Sequence, residues 1–276
     1  MASREDWKGR VGLEWSRRGD ALDALLGPPA AAGLQALGAL DGLSVLDLGC
    51  GAGGSTAELA SRVGPQGHVL GVDVSPDLAE QARAQLAEVP NAGFIEADAE
   101  VHDFGERAFD ALFSRFGSMF FERPEVAFAN LHGALTPGAP TVFVAWCDAR
   151  QNLWASIPGR FEAEGMERPA PKTGPGPFAW ANEETFRPVL QDAGFKGITA
   201  TEFAFKAVIS EGDNPDPVQR AADFMIRIGP LAARLKGATD DQKKAASAFL
   251  TQNLAPHVHD GAVQLDALAW IISARA

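Results

Sequence analysis

The stretch VLDLGCGAGG, residues 45–54, joins a short apolar run to a helical pattern. Its glycines allow the backbone to turn sharply and let a ligand approach closely, because no Cβ stands in the way. The helix that follows presents unpaired backbone N–H groups at its start. About 20 residues downstream, Asp73 ends the next predicted strand, where a carboxylate can accept hydrogen bonds from both hydroxyls of a ribose. The stretch therefore predicts a site for a nucleoside-containing ligand.

Short apolar runs alternate with helical patterns from Leu43 to Cys147, which is typical of βαβ units on a parallel sheet. Ser75 and Pro76 mark the start of one helix, because serine caps free amides and proline suits the first helical position. The pattern predicts strands at residues 43–48, 68–74, 94–97, 110–116, 141–147, 198–209 and 263–274. It predicts helices at residues 55–63, 76–89, 124–135, 182–193 (with Asn182 as the cap), 218–235 and 239–254.

Two classes of ligand fit the glycine-rich loop. The spacing Gly49-x-Gly51-x-x-Gly54 satisfies the dinucleotide-binding pattern as written, so NAD is one of them. Asp47 stands two residues before the first glycine, where its charge would repel a pyrophosphate but attract the ammonium group of an amino acid. Asp98 follows the third predicted strand and offers an acceptor to the amino group of adenine. The two acids favour S-adenosyl-L-methionine, with NAD as the alternative.

Five segments resemble, in their order and approximate spacing, the motifs of the class I S-adenosylmethionine-dependent methyltransferases: VLDLGCGAGG, GVDVSP, EADAE, FDALFSRF and LTPGAPTVFVAW. The resemblance covers residues 43–146 and continues into the C-terminal third only as a general pattern. It is to the group of small-molecule methyltransferases that includes the quinone-biosynthesis type. It implies a Rossmann-like, doubly wound α/β fold, in which a mostly parallel sheet has an antiparallel last strand and a lid or cap insertion.

The same resemblance implies which residues bind the cofactor. Asp73 corresponds to the ribose-binding acid, and Val74 to its neighbour against the adenine. Asp98 and Ala99 correspond to the contact with the adenine amino group, and Ser114 to a position whose backbone faces the methionine ammonium group. The implied methionine-binding loop contains Asp47, Gly49, Cys50, Gly51 and Gly53.

The sequence departs from the family pattern in one turn and lacks the signature of one subgroup. The turn before the fifth strand carries Ala139 where a second glycine is usual, which is a mild change away from any chemistry. The residues after the fourth strand, 114–117, read SRFG and lack the Asn-Pro-Pro-aromatic signature of amino-methyltransferases. The expected reaction is therefore methyl transfer to an oxygen or carbon atom. The first alternative is a cofactor-binding protein without turnover, and the second, less favoured, is an NAD-linked oxidoreductase.

Candidate residues for catalysis and substrate binding follow from chemistry and from position. His102, four residues after Asp98, is the first candidate for a general base, and Arg115 for an anchor of a substrate anion. A methyltransferase needs no catalytic triad, because alignment and water exclusion supply much of the rate. A hydrophobic or aromatic substrate is expected, held by Phe116, Phe120, Trp154, Phe178 and Trp180.

The chain divides into four parts by pattern. Residues 1–42 form a predicted N-terminal helical cover, and residues 43–147 the cofactor-binding core. Residues 148–181 are rich in proline and glycine yet carry several aromatic side chains, which predicts a lid. Residues 182–276 are expected to complete the sheet, with a helical cap at 217–254.

The composition of the chain argues against nucleic acid, metal and membrane as binding partners. A net charge of −12 and the lack of a basic stripe argue against nucleic acid, so a small-molecule substrate is expected. His257 and His259 lack a third ligand at a telling spacing, so no metal is expected. The N-terminal stretch has no apolar run, and no segment approaches the about 20 apolar residues of a membrane span. These features predict a cytoplasmic protein without a membrane span, of unassigned oligomeric state.

Overall fold

The computed structural model describes residues 4–166, 174–209 and 214–276. Its strands are β1 (Ser44–Leu48), β2 (His68–Asp73), β3 (Ala92–Glu96), β4 (Ala111–Arg115), β5 (Pro140–Trp146), β6 (Lys196–Ile209), β7 (Val258–His259) and β8 (Ala262–Arg275). Within these described ranges they form one eight-stranded sheet in the order β3-β2-β1-β4-β5-β8-β6, with β7 paired to β8.

The direction of the strands confirms the expected fold class. Strands β1 to β5 run parallel, whereas β8 lies antiparallel between β5 and β6. At the centre, Asp47 of β1 is paired with Gly71 of β2 and Phe113 of β4. Strands β1, β4 and β5 are almost entirely buried, as expected for parallel strands covered on both faces. The carboxyl ends of β1, β2 and β4 therefore meet at one edge, close to the glycine-rich loop.

Helices cover the sheet and begin largely where the sequence predicts. They are α1 (Arg4–Trp7), α2 (Arg10–Ser16), α3 (Gly19–Leu37), α4 (Gly54–Val63), α5 (Pro76–Leu86), α6 (Pro124–Gly133), α7 (Leu153–Gly159), α8 (Glu183–Asp192), α9 (Pro217–Arg227), α10 (Pro230–Arg234) and α11 (Asp240–Leu254). Ser75 caps α5 by accepting from the N–H of Leu78. Thr239 and Gln242 form the predicted capping box of α11.

One helix prediction is confirmed in position only, and another is wrong. Asn182 holds the cap position of α8, but its side chain accepts no capping hydrogen bond. The predicted helix at 218–235 is divided into α9 and α10, because Gly229 adopts a positive φ of 96° and Pro230 has no N–H to continue the ladder. Proline at the first position instead begins the new, short helix.

The N-terminal helices take two different positions. Helix α3 lies against the sheet, where a Cβ on its Gly33 would meet Val144 of β5 and Phe113 of β4. Helix α2 lies on α5, and a Cβ on Gly12 would meet the side chain of Ser75. This close approach brings α1 and α2 across the carboxyl edge of the sheet.

The predicted lid contains more regular structure than its proline content indicates. Helix α7 lies within residues 148–181, and Asn152 fixes its base: its Oδ1 accepts from the N–H of Leu268 on β8 at 2.9 Å, and its amide donates to the carbonyls of Cys147 and Asp148. Residues 167–173 of this segment lie outside the described residues. That the segment acts as a lid stays a prediction.

Candidate cofactor-binding site

A cavity opens at the carboxyl edge of β1, β2 and β4 and is closed from above by α1, α2 and α3. Its wall contains ten residues that the sequence analysis assigned to cofactor, catalysis or substrate: Gly49, Cys50, Gly51, Asp73, Val74, Asp98, Ala99, Arg115, Phe116 and Phe120. It also contains residues that the sequence analysis did not assign, among them Arg4, Asp23 and Glu100. The structure thus brings together side chains from the N-terminal helices and from the core.

Asp73 connects the glycine-rich loop to the start of α5. Its Oδ2 accepts from the N–H of Gly51 at 2.9 Å, and its Oδ1 accepts from the N–H of Ser75 at 2.9 Å. Burial raises the pKa of this carboxyl, and these backbone hydrogen bonds oppose the rise. Gly49, Gly51 and Gly53 all have positive φ, which lets the loop fold tightly around the carboxylate. One acid therefore fixes the loop and also faces the cavity.

Asp47 is fully buried at the end of β1 and does not belong to the cavity wall. Its Oδ2 accepts from Ser55 Oγ and Thr56 Oγ1, both at 2.7 Å, in the first turn of α4. Its Oδ1 has no hydrogen-bond partner. Burial raises the pKa of Asp47 to about 6, although the two hydroxyl hydrogen bonds and the charge of Arg115 act in the opposite direction. A buried carboxylate with one unpaired oxygen suits a cation nearby.

The opposite end of the cavity is built around Asp98. Its Oδ1 accepts from the N–H of Glu100 at 3.0 Å, and its Oδ2 forms an ion pair with Arg4 of α1. Arg4 also approaches Glu122, with 3.8 Å between Nη2 and Oε2. Trp7 of α1 lies edge-on to Phe120, with ring centroids 5.0 Å apart. The N-terminal helix is thus held at the end where the resemblance places adenine.

Arg115 at the end of β4 lines the cavity and forms an ion pair with Asp23 of α3, with Nη1 and Oδ1 2.8 Å apart. Ser114 next to it points away from the cavity: its Oγ donates to the carbonyl of Leu48 and accepts from the N–H of Ser118. Gly53, the N-cap of α4, also lies outside the wall. Cys50 lines the cavity, but burial and the charge of Asp47 raise the pKa of its thiol, so it stays neutral.

Besides Asp47, Gly53 and Ser114, four more predicted site residues lie outside the cavity wall. The ring of His102 packs on Phe104 with centroids 4.8 Å apart, so the turn directs it away from the wall. Trp154 lies between Trp146 and Phe178, at 4.8 and 5.4 Å. Trp180 is buried in the core against Phe128 and Phe143. The set comprises His102, Trp154, Phe178 and Trp180.

Phe116 has an unusual backbone conformation at the cavity. Its φ is 60°, in the left-handed region that bulky residues rarely adopt. Its ring is almost fully buried, lines the cavity and stacks on Trp146 with centroids 4.5 Å apart. Strain of this kind persists where the surroundings determine the conformation.

We expect Phe116→Gly to be more stable than Phe116→Ala, by about 0.5–1 kcal/mol in the free energy of unfolding, because only glycine adopts this φ without cost. Urea denaturation of both variants measures the difference. Phe128 in α6 is the matched control, since a helical backbone favours alanine over glycine by about 1 kcal/mol. If the alanine variant were the more stable one at both positions, the backbone at Phe116 would not be strained.

Among the described residues, no group of three or more histidine, cysteine, aspartate or glutamate side chains could hold a metal ion. No helix in the described ranges is long and apolar enough to cross a membrane.

Part of the chain is similar to known methyltransferases. Residues 45–138 match a family model described as a methyltransferase domain. The chain is 38% identical over 86 residues to a demethylmenaquinone methyltransferase of Lactococcus lactis, covering 30% of this chain and 34% of the relative. It is 33% identical over 106 residues to the aklanonic acid methyltransferase DauC of Streptomyces sp. strain C5, covering 38% of this chain and 48% of the relative.

A solved structure agrees at the level of the fold. A SAM-dependent methyltransferase from Aquifex aeolicus is similar with a TM-score of 0.51 at 21% identity, over 66% of this chain and 87% of that one. The chain spans only about a third to a half of the first two curated relatives it matches. The resemblance seen in the sequence motifs is confirmed. The similarity to a methyltransferase domain therefore extends over residues 45–138, and the relatives of this part of the chain include a demethylmenaquinone methyltransferase.

Proposed function

We propose that this protein transfers the methyl group of S-adenosylmethionine to an oxygen or carbon atom of a small hydrophobic or aromatic molecule. The observation that carries the proposal is Asp73, which faces the cavity while both of its oxygens are fixed by the N–H groups of Gly51 and Ser75. A carboxylate held in this way at the end of β2 is oriented to accept from two ribose hydroxyls.

The charge of the cavity distinguishes the two candidate cofactors. Four carboxylates line it, from Asp23, Asp73, Asp98 and Glu100, against the guanidinium groups of Arg4 and Arg115. The unpaired Oδ1 of Asp47 adds a buried acceptor near the glycine-rich loop. A sulfonium and an ammonium group suit this excess of negative charge, whereas the pyrophosphate of NAD does not. The residues present therefore fit S-adenosylmethionine.

The protein's own contribution is binding, orientation and exclusion of water. When bound, S-adenosylmethionine supplies an activated methyl group on its sulfur. Helices α1 to α3 cover the cavity, and alignment of reacting groups in such an enclosed site contributes on the order of 7–11 kcal/mol. We propose that Arg115 holds an anionic group and that Phe116 and Phe120 hold the apolar part of the substrate, as both rings line the wall.

The described cavity wall contains no histidine or lysine, and each of its four carboxylates is already held by an arginine or by backbone N–H groups, so none is free to remove a proton. This composition favours an acceptor that ionises easily, such as a phenol. His102 would have to leave its contact with Phe104 to act as a base. A His102→Ala variant with unchanged turnover would remove that role.

Partners and location follow from the same features. The net charge of −12 supports a small molecule over a nucleic acid as substrate. We propose that the protein works in the cytoplasm, which its charged surface and free cysteines support.

The test is calorimetric titration with S-adenosylhomocysteine and, separately, with NAD. Wild type is expected to bind the former at micromolar concentration and not the latter. Asp73→Ala is expected to weaken binding by at least about tenfold, because a hydrogen bond to a charged group contributes about 1.5–3 kcal/mol. Asp41→Ala, on an exposed turn before β1, is the control.

Each outcome has a consequence for the proposal. Absence of S-adenosylhomocysteine binding would remove the proposal and bring the NAD alternative forward. Binding without any methylated product across a panel of phenols and enolisable carbon acids would favour a cofactor-binding protein without turnover.

A further inference from the structure

Glu100 is a buried carboxylate that the proposed reaction does not use. It lies in the turn after β3, is 4% exposed and still contributes to the cavity wall. Its Oε1 accepts from the backbone N–H groups of Glu122 and Arg123, at 2.5 and 2.9 Å, and its Oε2 accepts from Arg123 Nε at 3.1 Å. All of its partners lie in the loop that joins β4 to α6.

These contacts make Glu100 a distant cap for α6. The helix begins at Pro124, and its N-cap residue Arg123 provides no side-chain cap. The carboxylate of Glu100 satisfies the N–H groups just before the helix and places a negative charge near the positive end of its dipole. The loop that carries Phe120 and Phe121 into the cavity wall is therefore held from the turn after β3.

The same turn carries Asp98. The N–H of Glu100 donates to Asp98 Oδ1 at 3.0 Å, so the orientation of one acid depends on the position of the other. Asn130 in α6 returns to the turn and donates from Nδ2 to the carbonyls of Ala99 and His102, at 3.0 and 2.9 Å. The turn and α6 are thus joined at two points, once through Glu100 and once through Asn130.

We propose that Glu100 is a positioning residue that fixes how the carboxylate of Asp98 faces the 6-amino group of the cofactor's adenine. This inference rests on the proposed function, because it takes the bound nucleoside to be adenosine. Without its charge, residue 100 accepts more weakly from the two backbone N–H groups, and a glutamine amide would set a donor against Arg123 Nε. The loop before α6 then loosens and the turn shifts, so Asp98 no longer holds a fixed direction. The consequence is a loss of discrimination between purines, beyond any general weakening of binding.

The experiment compares S-adenosylhomocysteine with S-inosylhomocysteine, in which a carbonyl oxygen replaces the 6-amino group. Calorimetry gives the two dissociation constants for wild type, Glu100→Gln and a control. In wild type we expect the inosine analogue to bind at least about tenfold more weakly, since its oxygen faces a carboxylate that needs a donor. Glu58→Gln, on the exposed face of α4 and paired with Arg62, is the matched control.

In Glu100→Gln we expect the affinity for S-adenosylhomocysteine to fall by about tenfold and the affinity for the inosine analogue to change little. The ratio of the two dissociation constants then falls to within about threefold of one. Equal weakening of both ligands, with the wild-type ratio retained, would show a merely structural role and overturn the inference. A wild-type ratio near one would also overturn it, because Asp98 would then not distinguish the purines. Absence of S-adenosylhomocysteine binding in wild type would instead overturn the proposed function itself.

A second variant allows the same test if the first does not fold. If Glu100→Gln does not give a cooperative thermal transition, Glu100→Asp retains the charge but shortens the side chain, so it cannot reach both backbone N–H groups in the loop. Glu100→Asp is also expected to lower the ratio of the two dissociation constants. An unchanged ratio in that folded variant would contradict the positioning role.

Discussion

The Asp47→Asn variant is expected to be more stable than wild type at pH 8, by up to about 3 kcal/mol in the free energy of unfolding. Burial raises the pKa of Asp47 from 3.8 to about 6 in the folded protein, and each unit corresponds to about 1.4 kcal/mol. Because the folded pKa lies above the unfolded one, the native state favours the protonated acid. That stabilisation is complete below pH 3.8 and is lost as the pH rises through about 6.

Asparagine has no charge to lose over this range. Its carbonyl oxygen can accept from Ser55 and Thr56 as Oδ2 of Asp47 does, so the two hydroxyl contacts are retained. Urea denaturation at pH 4, 6 and 8 should therefore show the variant's advantage growing with pH and almost vanishing at pH 4. Asp41→Asn, with an exposed side chain, should follow wild type at all three values.

The same variant is expected to bind S-adenosylhomocysteine at least about tenfold more weakly at pH 8, because the charge that attracts the ammonium group is gone. A gain in stability with a loss of affinity is the usual sign of a charge kept for function. An Asp47→Asn variant with the same stability as wild type at pH 8 would show that the buried charge carries no cost.

The parts of the fold that the sequence predicts are those with local and repeated signals. The glycine-rich loop needs positive φ at Gly49, Gly51 and Gly53, and glycine is the residue that supplies it. Ser75 followed by proline marks the start of α5 in the sequence and in the structure. The long strands β6 and β8 are predicted within two residues at each end, since apolar residues recur at short intervals along both.

The parts of the site that the sequence does not predict depend on distant pairs. Arg4 meets Asp98 across 94 positions, and Asp23 meets Arg115 across 92. No local pattern indicates which charged residue on α1 or α3 faces the cavity. The position of α3 is set by close packing of Gly33 against Val144 and Phe113, which only the fold reveals.

Aromatic residues illustrate the same limit in the segment 148–181. Trp154 and Trp180 both stand among prolines and glycines, so neither has a periodic context that would separate core from cover. In the structure, Trp180 is 3% exposed and packs on Phe128 in the core. Trp154 instead stacks on Phe178, and reaches the cavity wall only through Trp146 and Phe116.

The Gly117→Ala variant is expected to lose about 1–3 kcal/mol of stability and most of its affinity for S-adenosylhomocysteine. A Cβ at Gly117 would lie 2.8 Å from both the Cα of Gly49 and the carbonyl oxygen of Leu48. Both atoms belong to the backbone, so the glycine-rich loop itself must move, and such overpacking costs about 1–3 kcal/mol. The backbone of Gly117, at φ −81° and ψ −37°, is one that alanine adopts readily, so the contact alone causes the loss.

Gly133, the last residue of α6, provides the matched control, because a Cβ there meets nothing within 4 Å and the next residue is not a proline. Gly133→Ala should keep or slightly raise stability, since alanine is the better helix former. Thermal and urea denaturation give the stabilities of both variants, and calorimetry gives their affinities. If Gly117→Ala kept wild-type affinity, the loop at Gly49 would tolerate displacement, and the close approach of β1 and β4 at this edge would not be what shapes the cofactor site.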